Sequence, residues 1–134
     1  MNELVSIIIN CHNGEKFLQR YLQSVINQSY KNWEIIFWNN SSTDNSREIF
    51  QSYKDKRFNY YESTNMTNLS TARNFAILKS KGKFISFLDV DDYWKEDKLY
   101  KQISFFKKNN KTSLLFLNFY FQNFKKKNKE ISIK

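Results

Sequence analysis

The chain predicts an α/β fold in which a mostly parallel sheet is flanked by helices. Apolar, strand-like runs alternate with amphipathic, helix-like runs along the sequence. Two early runs, "LVSIII" (4–9) and "WEIIFW" (33–38), are continuous rather than alternating, as strands covered on both faces are. Polar groups cluster just after strand runs, where open α/β sheets bind their ligands.

Taken in order, "LVSIII" is the first buried strand. "EKFLQRYLQSVINQ" (15–28) spaces Phe17, Leu18, Tyr21, Leu22, Val25 and Ile26 by three and four, which makes one apolar helix face. "WEIIFW" is the second strand. "SSTDNSREIFQSYK" (41–54) opens with capping residues, with Ser42, Thr43 or Asp44 as the cap, and continues as a short helix. "RFNYYE" (57–62) is a short strand. "LSTARNFAILKSK" (69–81) has helical spacing through Leu69, Ala72, Ala76 and Ile77, and Gly82 is expected to stop it. "KFISFLDV" (83–90) is a strand, "KEDKLYKQISFFKKN" (95–109) a helix and "SLLFLNFYF" (113–121) a last strand of the alternation. Residues 122–134 are expected to form a basic turn and a short terminal strand.

At 134 residues, 40% apolar and 18% aromatic, the chain holds one domain with one core. Lys and Arg outnumber Asp and Glu by 22 to 13. That balance favours anionic partners without choosing among nucleotides, nucleic acid, acidic glycans and membrane surfaces. The single Cys11 forms no internal disulfide and fits a reducing, cytoplasmic setting. The start lacks a basic n-region, so no signal peptide is expected, and "LLFLNFYF" is far shorter than a membrane span.

Three polar strand ends carry the candidate chemistry. After the fourth long run, "FLDVDDYW" places Asp89, Asp91 and Asp92 within four positions of a chain whose formal charge is +9. Asp89 and Asp91 fall on one side of an extended backbone and suit a shared Mg²⁺ or Mn²⁺; the alternative is that the acids precede and cap the next helix. After the second run, Asn39 and Asn40 offer amide donors and acceptors suited to a base edge, in what is also an ordinary strand-to-helix turn. After the first run come Asn10 and His12. His12 has no paired nucleophile or carboxylate, which favours packing or stacking on a ligand over general-base work. Arg73 either lies along a helix face or forks onto phosphate oxygens. No glycine-rich phosphate loop is present, so a Rossmann dehydrogenase and a P-loop NTPase are both disfavoured.

In this order, "VSIIINCHNGEKFLQRYLQSVINQSYKNWEIIFWNNSSTDNS", "LSTARNFAI" and "KGKFISFLDVDDYWKEDKL" resemble the family 2 glycosyltransferases. The resemblance runs from about Val5 to Leu99, with weaker agreement to about Phe121. It implies a Rossmann-like GT-A fold in truncated form, with 1–121 as the nucleotide-sugar-binding part. It implies a nucleotide-sugar donor, often a UDP-sugar, and a divalent cofactor, Mn²⁺ or Mg²⁺. By resemblance, Asn10 and His12 line the nucleobase and Arg73, in the A-R-N motif, lies beside the nucleotide. Asn39 stands where the family usually has an aspartate that contacts the base. Asp89, Asp91 and Asp92 form the D-x-D region, with Asp91 the metal ligand.

The implied reaction is inverting transfer of a sugar to a glycan or lipid-linked acceptor in cell-surface polysaccharide synthesis. No catalytic base is assignable: nothing after Phe121 matches the family, and Glu130 is the only carboxylate there. The chain is therefore expected to supply the donor and metal site, with a second chain or a C-terminal half completing the enzyme. The alternatives are a catalytically incomplete nucleotide-sugar-binding fragment and, from another class, a basic module for RNA or anionic membranes. The stretch "KKKNK" leaves peripheral association at the inner membrane face open.

Overall fold

The two continuous apolar runs become the centre of the sheet. In a computed structural model, which describes residues 3–89, 92–115, 119–121 and 129–131, β1 (Val5–Cys11) and β2 (Trp33–Asn39) pair in parallel from Val5↔Trp33 to Cys11↔Asn39. Every residue of β2 is buried, and Asn10 is the only residue of β1 that is not. β3 (Phe58–Glu62) adds beside β2 and β4 (Phe84–Phe87) beside β1, both parallel, giving the order β3-β2-β1-β4. The mostly parallel sheet expected from the alternation is thus wholly parallel in these four strands.

Pleating sends odd and even residues of β1 to opposite faces, and the helices sort accordingly. On the even face, α3 (Leu69–Ile77) lays Ala72 and Ala76 against Ile8, Ile36 and Trp38. The small alanines let the helix approach closely, and the core continues to Tyr61 and Ile77. On the odd face, α2 (Ser46–Ser52) inserts Phe50, stacked 4.2 Å from Phe37 and beside Phe58 and Tyr60. α1 (Glu15–Ile26) buries Leu18, Tyr21, Leu22 and Val25, the predicted face less Phe17, which stays exposed, and Ile26, which is half-buried. The aromatic rings of this half stack on one another, not on an open platform.

Several boundaries move for local reasons. The helix expected to follow a cap at Ser42, Thr43 or Asp44 starts at Ser46, because 41–45 is committed to hydrogen bonds described below. α3 stops at Ile77, where Leu78, Lys79 and Ser80 turn back with main-chain bonds to Asn74, Ala76 and Ile77. Gly82 therefore does not end the helix, and its φ is not positive. Its need is space: a Cβ there would lie 2.5 Å from the Ser6 nitrogen and 2.8 Å from the Leu4 oxygen. Nearby, the buried Glu34 carboxylate accepts from Ser6 Oγ (2.7 Å) and the Lys81 N–H (2.8 Å), while the Gly82 N–H donates to Ser6 Oγ.

The chain divides into Met1–Tyr100 and Lys101–Lys134, and α4 (Lys98–Lys108) runs from the first into the second. Within the second, the strand expected over 113–121 is seen as β5 (Phe119–Phe121); 113–115 has no regular structure, and 116–118 lie outside the described residues. β5 pairs with β6 (Lys129–Ile131) antiparallel, from Phe119↔Ile131 to Phe121↔Lys129, in a two-stranded sheet of its own. Consecutive strands joined by a short connection pair this way, whereas a parallel pair needs a long crossover. Among the described residues, no helix is long and apolar enough to cross a membrane.

Candidate functional site

The carboxyl ends of β1, β2 and β3 are bound together by their own loops. Asn40 donates its N–H to the Cys11 carbonyl (2.7 Å), and His12 Nδ1 lies 2.9 Å from the Asn40 carbonyl. A carbonyl only accepts, so Nδ1 carries the proton in that contact. Asn13, at φ 54°, donates its N–H to Ser42 Oγ, and its side-chain oxygen accepts from the Thr43 N–H. The two helix starts then cap each other. Asp44 accepts from the Glu15 N–H (2.9 Å) and the Ser46 N–H (3.0 Å), while Glu15 accepts from the Asn45 N–H (2.9 Å). The Glu15 and Asn45 donors are thereby satisfied by the opposite loop, and the Ser46 donor by Asp44 of its own. Burial pushes the Asp44 carboxyl up, but these hydrogen bonds outweigh it and hold the group below its ordinary value.

The two asparagines after β2 are spent inside the protein. Asn39, fully buried, donates to Tyr60 Oη (2.9 Å) and Glu62 Oε1 (3.2 Å) and accepts from the Ser42 N–H. Asn40 donates to the Thr67 carbonyl and accepts from Ser63 Oγ and from both the N–H and hydroxyl of Thr67. The sequence reading left these amides either toward a base edge or in an ordinary strand-to-helix turn; in the structure the Asn40 amide pins the segment 63–67 to the end of β2. What faces outward is a different set. An open pocket of about 400 Å³ is lined by Ser41, Ser42, Thr43, Glu62, Ser63 and Thr64. Glu62 was not singled out from sequence. The one available signal was its place as the last residue of a short strand.

The β4 end is built differently. Arg73, on α3, donates from Nη2 to Asp89 Oδ1 at 2.8 Å, and its guanidinium lies 5.3 Å from the Phe87 ring. The two side chains are one-third and one-half exposed. The Asp92 N–H turns back to the Asp89 carbonyl. Asp91 lies outside the described residues. Just beyond, buried Gln28 donates to the Lys95 carbonyl and accepts from the Leu99 N–H, fixing the segment that follows the aspartates onto the end of α1. At the rim, Asn10 Oδ1 and Trp38 Nε1 are register neighbours, both buried and without a hydrogen-bond partner in the structure. The structure thus brings Asn10, His12, Asn39, Asn40, Arg73 and Asp89 to one edge of one sheet.

As to a metal, no group of three His, Cys, Asp or Glu side chains capable of holding an ion occurs among the described residues. The donor chemistry nevertheless fits a divalent cation. Asp89 is an exposed carboxylate whose second oxygen is not used by Arg73, and hard ions take remaining oxygens from water and a substrate diphosphate.

The model of the glycosyl transferase family 2 matches residues 6–133, so the match extends past Phe121, where the sequence reading ended the resemblance. The chain belongs to that family. Among its family 2 relatives is an Escherichia coli enzyme, the UDP-Glc:α-D-GlcNAc-diphosphoundecaprenol β-1,3-glucosyltransferase WfaP. It is 38% identical over 120 residues, which are 90% of this chain and 47% of the relative. The chain spans less than half the length of the curated relatives it matches most strongly. Of solved structures, S. aureus TarS 1-349 in complex with UDP-GlcNAc superposes with a TM-score of 0.76 at 24% identity, covering 82% of this chain and 32% of TarS. A mannosyltransferase from Pyrobaculum calidifontis, in complex with GDP-Man and Mn²⁺, superposes at 0.72 and 20% identity over 79% of this chain and 33% of that one. These likenesses establish the fold as that of the GT-A glycosyltransferases.

Proposed function

We infer that this chain is the donor-binding part of a family 2 glycosyltransferase: it holds a nucleotide-sugar at the carboxyl rim of the sheet. The observation that carries the reading is the Arg73–Asp89 pair, which joins α3 to the end of β4 at that rim. An exposed pair of this kind adds little to stability, so its worth lies in placement. A guanidinium has five donors in a fork, suited to the oxygens of a diphosphate. The orphaned Asn10 oxygen and Trp38 N–H support a ligand beside it, since buried unpaired polar atoms are costly until something binds them.

Asp89 and Asp91 would hold Mn²⁺ or Mg²⁺, which when bound neutralises the charge that develops on a departing nucleoside diphosphate. Arg73 orients the phosphates, and the stitched loops of β1 and β2 keep the base end rigid. The TarS complex and the WfaP reaction make a UDP-sugar the natural first donor to test and a glycan or lipid-linked molecule the acceptor. Transfer with inversion, and the base it needs, belong to the whole enzyme, and the acceptor half is a further partner.

The test is calorimetric titration of UDP with Mn²⁺, repeated with EDTA and with Asp91→Ala. Binding that requires both metal and Asp91 supports the donor site. A folded chain that binds no nucleotide, and binds RNA or anionic vesicles in low salt instead, would replace this reading with the basic module.

A further inference from the structure

Resting on the donor-site reading above, we propose that Gln28 is a positioning residue for the aspartates. With Ser24 it fixes the backbone that carries them, and so sets their discrimination between small and large divalent cations. The chain between β4 and α4 has no regular structure over 92–95, so its main-chain groups need partners from elsewhere. The end of α1 supplies them. Ser24 Oγ accepts from the Trp94 N–H at 3.2 Å. Four positions on, Gln28 donates to the Lys95 carbonyl at 2.7 Å and accepts from the Leu99 N–H at 3.0 Å. The Ser29 N–H donates to the Glu96 carbonyl at 2.8 Å. Residues 24–29 thus hold main-chain groups of 94, 95, 96 and 99.

The place of this clasp gives it reach. On the other side of the aspartates, the Leu88 N–H donates to the Ile8 carbonyl at 3.0 Å and ties the end of β4 to β1. Between these anchors, Leu88 and Trp94, lie residues 89–93, which include Asp89, Asp91 and Asp92. The Arg20 guanidinium also lies 4.6 Å over the Tyr93 ring. A short span pinned at both ends has few arrangements open to it. Packing alone does not call for an amide at position 28, which is fully buried: an apolar side chain would fill the space without the cost of desolvation. The amide instead spends its donors on the Lys95 and Ser24 carbonyls and its oxygen on Leu99. Mg²⁺ demands near-ideal octahedral coordination, whereas Ca²⁺ accepts a looser and larger one. Carboxylates on a fixed backbone therefore favour the smaller ion.

UDP is titrated by calorimetry with Mg²⁺, and again with Ca²⁺, into the parent and into Gln28→Met. Methionine keeps the length and bulk of the side chain but neither kind of hydrogen bond. Each protein is first checked for folding by thermal melting. The parent should bind UDP more tightly with Mg²⁺ than with Ca²⁺. The variant should lose roughly tenfold with Mg²⁺ and less than about threefold with Ca²⁺. Phe50→Leu, a core truncation on the α2 face, is the control for stability alone: it should melt earlier yet keep both affinities within about twofold. Ser24→Ala, which removes the acceptor of the Trp94 N–H, should shift the two ions in the same sense by less, and it carries the test if Gln28→Met does not fold. A parent that does not distinguish the ions, unchanged affinities in the folded variants, or equal losses with both ions overturns the role of Gln28 and leaves the donor site standing. A folded parent that binds no UDP with either ion overturns both.

Discussion

The two ends of the carboxyl rim are built on opposite principles. Where β1, β2 and β3 end, nearly every polar group is bound to another part of the protein, often a residue about thirty positions away: Asn13 to Ser42 and Thr43, Glu15 to Asp44 and Asn45. Where β4 ends, Arg73 and Asp89 pair half-exposed, and Ile85 and Phe87 are exposed on β4, the outermost strand of the sheet among the described residues. The first region uses its polar groups to fix backbone, the second keeps them near solvent. Substitutions should therefore cost stability at one end and ligand affinity at the other.

The largest effect is expected from Asn40→Ala. It removes the acceptor for three groups of Ser63 and Thr67 and the donor to the Thr67 carbonyl. Stranding these should lower stability by about 2–4 kcal/mol in urea unfolding. A loss under about 0.5 kcal/mol would show that the segment 63–67 is not held as described. Asp44→Ala deletes a cap shared by two helices and should cost about 1–2 kcal/mol.

The sign of its pH dependence follows from the bonds. A carboxyl held below its unfolded value stabilises fully above about pH 4 and loses that contribution as pH falls through its folded value. Asp44 behaves so, and so does Asp55, held down by its bonds to Arg57. Acid unfolding of Asp44→Ala should accordingly be shallower below about pH 4 than that of the parent.

At the other end, Asp89→Ala should change stability by less than about 0.5 kcal/mol while weakening UDP at least about tenfold in calorimetry. A stability loss equal to that of Asp44→Ala would erase the contrast between the two ends. A last effect concerns Lys98, whose Nζ lies 3.1 Å from Ser86 Oγ and 3.6 Å from the Trp94 ring centre. Burial lowers its pKa from 10.5 to about 8. The folded state thus binds that proton less well than the unfolded chain, so stability rises with pH between those values. In Lys98→Met, thermal melts over this range should lack that rise.

The central strands and the helices were legible because their signals are local: β-branched runs for β1 and β2, three-and-four spacing for α1 and α3. The start of α2 was not, because Ser42 to Asp44 look like ordinary capping residues, yet Ser42 and Thr43 bond Asn13 and Asp44 caps α1 as well as α2. Gly82 was read as a helix stop, and only the proximity of Ser6, seventy-six positions earlier, shows why it is glycine. At the site, the side chains of the rim were identifiable but not their directions. Asn39 and Asn40 could have faced in or out, and strand register, which decided it, also brought Glu62 into view.

Cys11 is fully buried beneath this rim, and burial raises its thiol above the ordinary value, despite hydrogen bonds that oppose it. A thiol that is both inaccessible and protonated is a poor nucleophile. The consequence is practical: the chain needs no cysteine removed before labelling. A cysteine introduced at Thr64, on the pocket wall, would be the sole reactive thiol of this chain and could carry a fluorophore that tests whether the pocket takes a ligand.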